Sequence, residues 1–192
     1  MAASLSYNYN FLFIPVPKTA STSMWNTLSP FVDEAPLEDI YHPTLKSLQE
    51  HFLKRGLVWE DYFSFCFVRN PWDRIISFFY RFKAENTMED GSLRYDSPAD
   101  WIITPRKLPH SQLSFMEDDH GKIPLNFIGR FETLEKDFKL ICGEIGIPYK
   151  KLSHLNKSKH NHYQEYYNEE TIEIIRQKYQ KEIEMFGYRY ES

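Results

Sequence analysis

The chain has little cysteine and no long apolar run, and each shortage excludes a class of protein. Its 192 residues include two cysteines, Cys66 and Cys142, and both lie in apolar stretches. We therefore predict two buried thiols and no disulfide framework. No apolar run approaches the roughly 20 residues of a membrane-spanning helix. The N-terminal segment also lacks the basic and apolar regions of a signal peptide, which indicates a cytoplasmic protein with no membrane span.

Charge of one sign is not in large excess, and glycine is scarce. Lysine and arginine number 23 against 27 acidic residues, for a net charge of −4, which argues against binding of nucleic acid through bulk positive charge. Seven glycines and the lack of a low-complexity tract argue against extended disorder. Hydrophobic residues make up 42% of the chain, enough to fill a core. This length and composition predict one domain over residues 1–192.

Three apolar segments of strand length are each followed by a helical pattern. The strands are predicted over residues 11–16, 62–68 and 126–129. The helix after the second strand has a clear start, because Asn70 can cap it and Pro71 suits its first position. Strands that alternate with helices predict an α/β fold, with a single parallel sheet flanked by helices. In such folds ligands bind at the carboxyl ends of the strands.

Helical patterns also follow the third strand and occupy the end of the chain. A helix is predicted over residues 132–145, with an apolar stripe along one side. A last helix is predicted over residues 169–185, with Asn168 as its cap. The stretch from Ala84 to Lys122, between the second and third strands, has weaker patterns, and we interpret it as an insertion that shapes the substrate side of the site. It contains two predicted short helices, over residues 99–103 and 111–116.

A polar turn over Lys18–Ser23 follows the first strand and opens the first helix. Amide groups at a helix N-terminus, together with four hydroxyls and one ammonium group, form a strong anion site. The turn is not a Walker A loop, because it contains no glycine. The alternative interpretation is a Ser/Thr-rich helix cap beside a solvated lysine.

A second candidate anion site follows the second strand. Arg69 ends that strand, and Ser77 lies about two helical turns into the next helix, so both residues can face the carboxyl-end crevice. An arginine fork suits a phosphate group, and the serine hydroxyl adds a donor. The alternative is that Arg69 pairs with an acid such as Asp73, which leaves Ser77 as a small packing residue.

Three segments resemble the sulfotransferase family in the order in which that family carries them. Residues 13–23, FIPVPKTASTS, are similar to the 5'-phosphosulfate loop, and residues 67–77, FVRNPWDRIIS, to the 3'-phosphate motif. Residues 128–138, IGRFETLEKDF, resemble the later strand and helix in the branch that contains the carbohydrate sulfotransferases. The resemblance implies the sulfotransferase fold, which is like that of the P-loop nucleotide hydrolases.

The resemblance also implies a reaction and a set of roles. The reaction is transfer of a sulfuryl group from 3'-phosphoadenylyl sulfate to a hydroxyl acceptor, with a carbohydrate as one acceptor class and with no metal. Lys18 would stabilise charge on the bridging oxygen, and Arg69 and Ser77 would bind the 3'-phosphate. The residues that would hold the 5'-phosphate by amides and hydroxyls are Thr19, Ala20, Ser21, Thr22 and Ser23.

The reaction needs a base to take the proton of the acceptor hydroxyl. We predict His42, because Pro43 suits the first position of the following helix and would place His42 at its N-cap. The next candidates are Asp33 and Glu34. The alternative is that His42 is an ordinary cap or surface residue.

Lysine and histidine are frequent between residues 149 and 163. In sulfotransferases a segment near the C-terminus closes over the nucleotide, so the resemblance implies that Lys157 or Lys159 reaches the donor. A mobile solvated loop is the alternative. His160 and His162 lack the neighbouring carboxylate or cysteine pattern of a metal site, and we predict no metal there.

Two other functions are compatible with the sequence. A small-molecule kinase with a degenerate phosphate loop would bind ATP with Mg²⁺, but the missing glycines and the missing Walker B carboxylate argue against it. A non-catalytic nucleotide-binding protein would retain Arg69 and the fold without needing Lys18 or His42.

Overall fold

The structure, a computed structural model, describes residues 1–37, 39–82, 95–104, 108–152 and 161–191. The chain divides into two units that each combine two segments. Unit 1 consists of Met1–Val68 and Gln112–Asn156, and unit 2 consists of Arg69–Ser111 and Lys157–Ser192. Within the described ranges, no helix is both long enough and apolar enough to cross a membrane.

Four strands of unit 1 form one sheet in the order β1-β2-β3-β4. Their bounds are Ser4–Ser6 for β1, Phe11–Phe13 for β2, Phe63–Val68 for β3 and Phe127–Arg130 for β4. β1 pairs antiparallel with β2, whereas β2, β3 and β4 are parallel. The three parallel strands therefore end at the same edge of the sheet, and the predicted α/β fold class is confirmed.

β1 is a strand that the sequence analysis did not predict. Its three residues include two serines, and Leu5 alone supplies an apolar side chain. β1 extends because it pairs with β2 on one side, where Leu5 faces Leu12, and forms a bridge to Glu34 on the other. Both contacts are tertiary, so a local pattern does not show them.

The described ranges contain seven α-helices, which we number in chain order. Their bounds are Ser21–Leu28 for α1, Leu45–Arg55 for α2, Pro71–Arg81 for α3, Pro98–Ile103 for α4, Leu134–Glu144 for α5, Glu169–Lys178 for α6 and Gln180–Phe186 for α7. The short helix predicted over residues 99–103 is α4. The one predicted over residues 111–116 is a 3-10 helix at Gln112–Phe115.

The core of unit 1 lies between the sheet and helices α1 and α5. Phe13, Phe65 and Phe67 from the strands pack with buried side chains of the two helices, which are Met24, Leu28, Phe138, Ile141 and Cys142. The apolar stripe predicted for the α5 segment is therefore the face that enters the core. Cys66 and Cys142 are free and buried, as predicted, and burial raises the pKa of the Cys142 thiol to about 11.

Gly129 of β4 is required by the packing of its neighbouring strand. It lies opposite Phe67 in the sheet register, and a Cβ atom at Gly129 would be 2.4 Å from Cε1 of the Phe67 ring. Real Cβ atoms do not approach this closely, so a larger residue would displace the ring from the core. This contact gives a physical reason for glycine in the third family-like segment.

Unit 2 is helical in its described part. The start of α3 is as predicted, because the Asn70 side chain accepts from the Trp72 backbone N–H and Pro71 occupies the first position. Trp72 and Ile75 of α3 pack with Ile175 and Tyr179 from the end of the chain.

The prediction of one helix over residues 169–185 is wrong in one respect. Asn168 caps the helix as expected, but the chain leaves the helical conformation at Tyr179, which separates α6 from α7. The Tyr179 side chain is buried, and its hydroxyl donates to the Pro109 carbonyl oxygen at 2.6 Å. The break was not predicted because the apolar stripe continues in the same register through α6 and α7.

Candidate functional site

The turn between β2 and α1 has a strained backbone that its own hydroxyls hold in place. Lys18 and Ala20 have positive φ angles of 69° and 66°, in the left-handed region where glycine is favoured. The hydroxyls of Thr19 and Ser21 donate to the Val16 carbonyl oxygen at 2.9 and 2.5 Å. Both hydroxyl protons therefore point into the turn, so a bound anion would meet amide groups here and not these two O–H donors.

The N-terminus of α1 differs from the other helix starts. Ala20 occupies the cap position with no side-chain hydrogen bond, and the first turn contains no acidic residue. Every other α-helix of the described ranges has a side-chain cap, an acidic first turn or both. No acidic side chain of the first turn therefore neutralises the positive end of the α1 dipole. This end of the helix favours binding of an anion.

The prediction that His42 caps the following helix is wrong. Thr44 is the N-cap of α2, and its hydroxyl accepts from the Ser47 backbone N–H. His42 lies two residues earlier with a φ of 61°, and its own backbone N–H donates to the Met1 carbonyl oxygen. The position of His42 therefore depends on tertiary contacts and not on the start of α2.

Those contacts bring the His42 ring to the turn that follows β2. Nδ1 lies 2.6 Å from the Pro15 carbonyl oxygen, which can only accept a hydrogen bond. In the neutral ring Nδ1 must then carry the proton, and Nε2 carries the lone pair. Tyr41 and Phe115 contact the ring edge-on, with centroids at 4.5 and 6.3 Å. The ring is thus held in an orientation and a tautomer that suit a base.

Asp33 lies at the amino end of β2, opposite to the end where His42 lies. Its carboxylate accepts from the backbone N–H groups of Tyr7 and Asn8, at 2.8 and 3.1 Å, within the turn that joins β1 to β2. That turn is at the amino end of β2, since the Asn10 carbonyl oxygen accepts from the N–H of Phe63, the first residue of β3. An extended chain from Asn10 to Pro15 spans roughly 16 Å, so Asp33 and His42 mark different ends of the strands.

Glu34 is engaged at the same end as Asp33. It accepts from the hydroxyl of Tyr7, and its other contacts are His51 Nε2 at 3.0 Å and Arg55 Nη2 at 3.1 Å. These bonds join the segment beside β1 to helix α2. Of the three candidate bases, the structure brings only His42 to the carboxyl end of β2.

Arg69 and Ser77 belong to unit 2. Arg69 follows β3 directly in the chain, and its Nε donates to Oδ2 of Asp73 at 2.7 Å, which is the pairing that the sequence left open. Both side chains of this pair are largely buried. Ser77 is also buried, on helix α3. The structure therefore gives Arg69 a fixed carboxylate partner.

Lys157 and Lys159 lie outside the described residues. Sequence reasoning also missed the two groups that organise the loop after β2, the carbonyl oxygens of Pro15 and Val16. A backbone carbonyl is present at every position, so only the fold reveals which ones accept. Within the described part of the chain, no three His, Cys, Asp or Glu side chains lie together as metal ligands would.

Comparison with known proteins gives one extensive match. The family model described as "Sulfotransferase family" matches residues 3–189. An uncharacterised protein of Archaeoglobus fulgidus is 29% identical over 91 residues, which cover 47% of this chain and 73% of that protein. No solved structure matches the chain significantly.

Proposed function

Because the chain belongs to the sulfotransferase family, we propose that it transfers a sulfuryl group from 3'-phosphoadenylyl sulfate to a hydroxyl acceptor. The single observation that carries the proposal is the start of α1. A strained turn there presents backbone amides at a helix end with no capping side chain and no acid in its first turn. This is an arrangement for an anion, and residues 18–23 are the segment that resembles the 5'-phosphosulfate loop.

In the proposed mechanism Lys18 acts on the leaving group. The bond between sulfur and the bridging oxygen breaks, and that oxygen gains charge and leaves with 3'-phosphoadenosine 5'-phosphate. An ammonium group beside this oxygen stabilises the charge as it develops. The amides of Thr19, Ala20, Ser21, Thr22 and Ser23 would hold the 5'-phosphate.

His42 is the proposed base. As the acceptor oxygen bonds to sulfur, Nε2 takes the hydroxyl proton, and Nδ1–H stays bonded to the Pro15 carbonyl oxygen. That hydrogen bond supports the role in two ways, since it fixes the tautomer and becomes stronger when the ring gains charge. Asp33 and Glu34 are not proposed as bases, because they bind groups at the amino end of the strands.

Arg69 and Ser77 are proposed to bind the 3'-phosphate of the donor, with Lys157 and Lys159 as further donor contacts from a segment that the structure does not describe. An arginine fork suits the phosphate that distinguishes this donor from ATP. A carbohydrate is the proposed acceptor class, from the resemblance of residues 128–138. The cytoplasmic location and the absence of a metal remain predictions.

Calorimetry with three ligands tests the proposal. We expect 3'-phosphoadenosine 5'-phosphate to bind in EDTA and at least tenfold more tightly than AMP, because a charge-assisted pair to the 3'-phosphate adds roughly 1.5–3 kcal/mol. ATP with Mg²⁺ serves as the comparison ligand, since a kinase would prefer it. Equal affinity for AMP, or loss of binding in EDTA, would contradict the proposed function.

A further inference from the structure

The guanidinium group of Arg69 is held by a carboxylate one helical turn away. Arg69 Nε donates to Asp73 Oδ2 at 2.7 Å, and 9% and 18% of the two side chains are exposed. Asp73 is the third residue of α3, so the helix fixes where its carboxylate stands. A charge-assisted hydrogen bond of this length, in a place that solvent barely reaches, is a strong local restraint.

Such a restraint determines the direction of the whole guanidinium group. The group is planar and carries five N–H donors in a rigid fork, so a bond at Nε sets the plane and the directions of the N–H groups at the Nη end. An arginine without this bond would have to lose several freely rotating torsions when it bound a phosphate. The pair with Asp73 limits that freedom before any ligand arrives.

The same carboxylate also has an opposing effect. Its negative charge reduces the attraction of the Arg69 site for any phosphate, which would weaken binding. Charge neutralisation and orientation therefore predict opposite results when Asp73 is removed. Orientation is the larger effect where the bond is short and shielded and where the ligand is a single fixed phosphate that must meet the fork.

We infer that Asp73 is a positioning residue that orients Arg69, and that it thereby sets the preference of this protein for a 3'-phosphorylated nucleotide over AMP. The inference rests on the proposed function, in which Arg69 binds the 3'-phosphate. A purely structural role for Asp73 is the rival explanation, since an acid in the first turn stabilises a helix through its dipole. That role would affect both nucleotides alike.

The experiment measures the dissociation constants of 3'-phosphoadenosine 5'-phosphate and AMP by calorimetry on the full chain. The variants are Asp73→Ala, Asp73→Asn, Arg69→Ala and the double variant Arg69→Ala/Asp73→Ala. Glu173→Ala is the matched control, because Glu173 also pairs with an arginine close in sequence, Arg176 of helix α6, but at an exposed site. Thermal unfolding of each variant shows which of them retain the fold.

We expect Asp73→Ala to weaken binding of 3'-phosphoadenosine 5'-phosphate by roughly three- to tenfold, with AMP changed by less than about twofold. Asp73→Asn retains an acceptor oxygen and should restore part of the preference. In the Arg69→Ala background, removal of Asp73 should change neither constant, because the group that it orients is gone. Glu173→Ala should match the wild type.

Two results would overturn the inference while leaving the proposed function intact. In the first, the wild type prefers the 3'-phosphorylated nucleotide and the Asp73→Ala variant keeps or increases that preference. The other is an equal loss for both nucleotides that persists in the Arg69→Ala background. A wild-type protein without any such preference would overturn the proposed function, and the role of Asp73 with it.

Discussion

Two strained residues flank Thr19 in the turn after β2. Left-handed backbone at a residue with a side chain costs on the order of 1–2 kcal/mol, and both Lys18 and Ala20 adopt it. The hydroxyls of Thr19 and Ser21 compensate by bonding the Val16 carbonyl oxygen. Glycine would remove the strain at Lys18 but would also remove the ammonium group. The turn therefore holds a charge and a set of amides in one place at a small cost in stability.

The role proposed for Lys18 predicts a loss of turnover that exceeds any loss of donor binding. Lys18→Ala should lower kcat by roughly 10²–10³-fold, because the charge on the bridging oxygen is largest in the transition state. The dissociation constant of 3'-phosphoadenosine 5'-phosphate should change far less. Lys46→Ala is a suitable control, since Lys46 is an exposed lysine that pairs with Asp119. Full turnover in Lys18→Ala would show that the role is wrong.

The proposed base predicts both a rate and a pH dependence. His42→Ala should lower kcat by roughly 10²–10⁴-fold and leave nucleotide affinity nearly unchanged. Turnover of the wild type should fall as the pH is lowered, because a protonated imidazole cannot accept the hydroxyl proton, and the variant should lack this acidic limb. His120→Ala, at an exposed histidine, and Glu34→Gln should both retain the wild-type rate. A normal rate in His42→Ala with a large loss in Glu34→Gln would make Glu34 the base.

The connection between β1 and β2 is held by a carboxylate from another part of the chain. Asp33 accepts from the backbone of Tyr7 and Asn8 and from the side chains of Ser6 and Asn8. These bonds favour the charged form and lower the pKa of Asp33, with the Asn8 backbone as the largest cause. A short edge strand without much apolar surface is thus secured by hydrogen bonds to an acid.

This network predicts a stability change at acidic pH. A carboxyl group whose pKa is lower in the folded state stabilises the fold above its unfolded pKa, near 3.8, and the effect is lost as the pH falls through the folded pKa. Asp33→Asn should therefore lower the urea midpoint at pH 7 and narrow the difference in midpoint between pH 7 and pH 3. Urea unfolding of both proteins at pH 7 and pH 3 measures this difference in midpoint. The same difference in both proteins would show that Asp33 does not contribute.

The elements that were predicted correctly are those whose signals are local. Asn70 and Pro71 start α3, and Asn168 starts α6, because a cap acts on amides two or three residues away. The failures have tertiary causes. His42 is placed by Met1 and Pro15, 41 and 27 positions away in the chain, and the α6–α7 break occurs where the Tyr179 hydroxyl bonds to Pro109.

The family match extends over nearly the whole molecule, yet the chain forms two units. The prediction of one domain over residues 1–192 stays a prediction. Lys18, Arg69 and Ser77 could be predicted from the sequence, because they lie in segments that resemble motifs of the family. These motifs did not identify the Pro15 carbonyl or the pairing of Arg69 with Asp73, which depend on atoms brought together by the fold.

The order of the elements along the chain has a consequence for biosynthesis. Unit 2 packs Trp72 and Ile75 of α3 against Ile175 of α6, which begins a hundred residues after Arg69. A ribosome that adds about 5–20 residues per second needs roughly 5–20 s to produce that stretch. During this time the nascent chain carries the apolar face of α3 without the helix that covers it. The apolar face of α3 is therefore exposed to aggregation during the interval between the synthesis of the two helices.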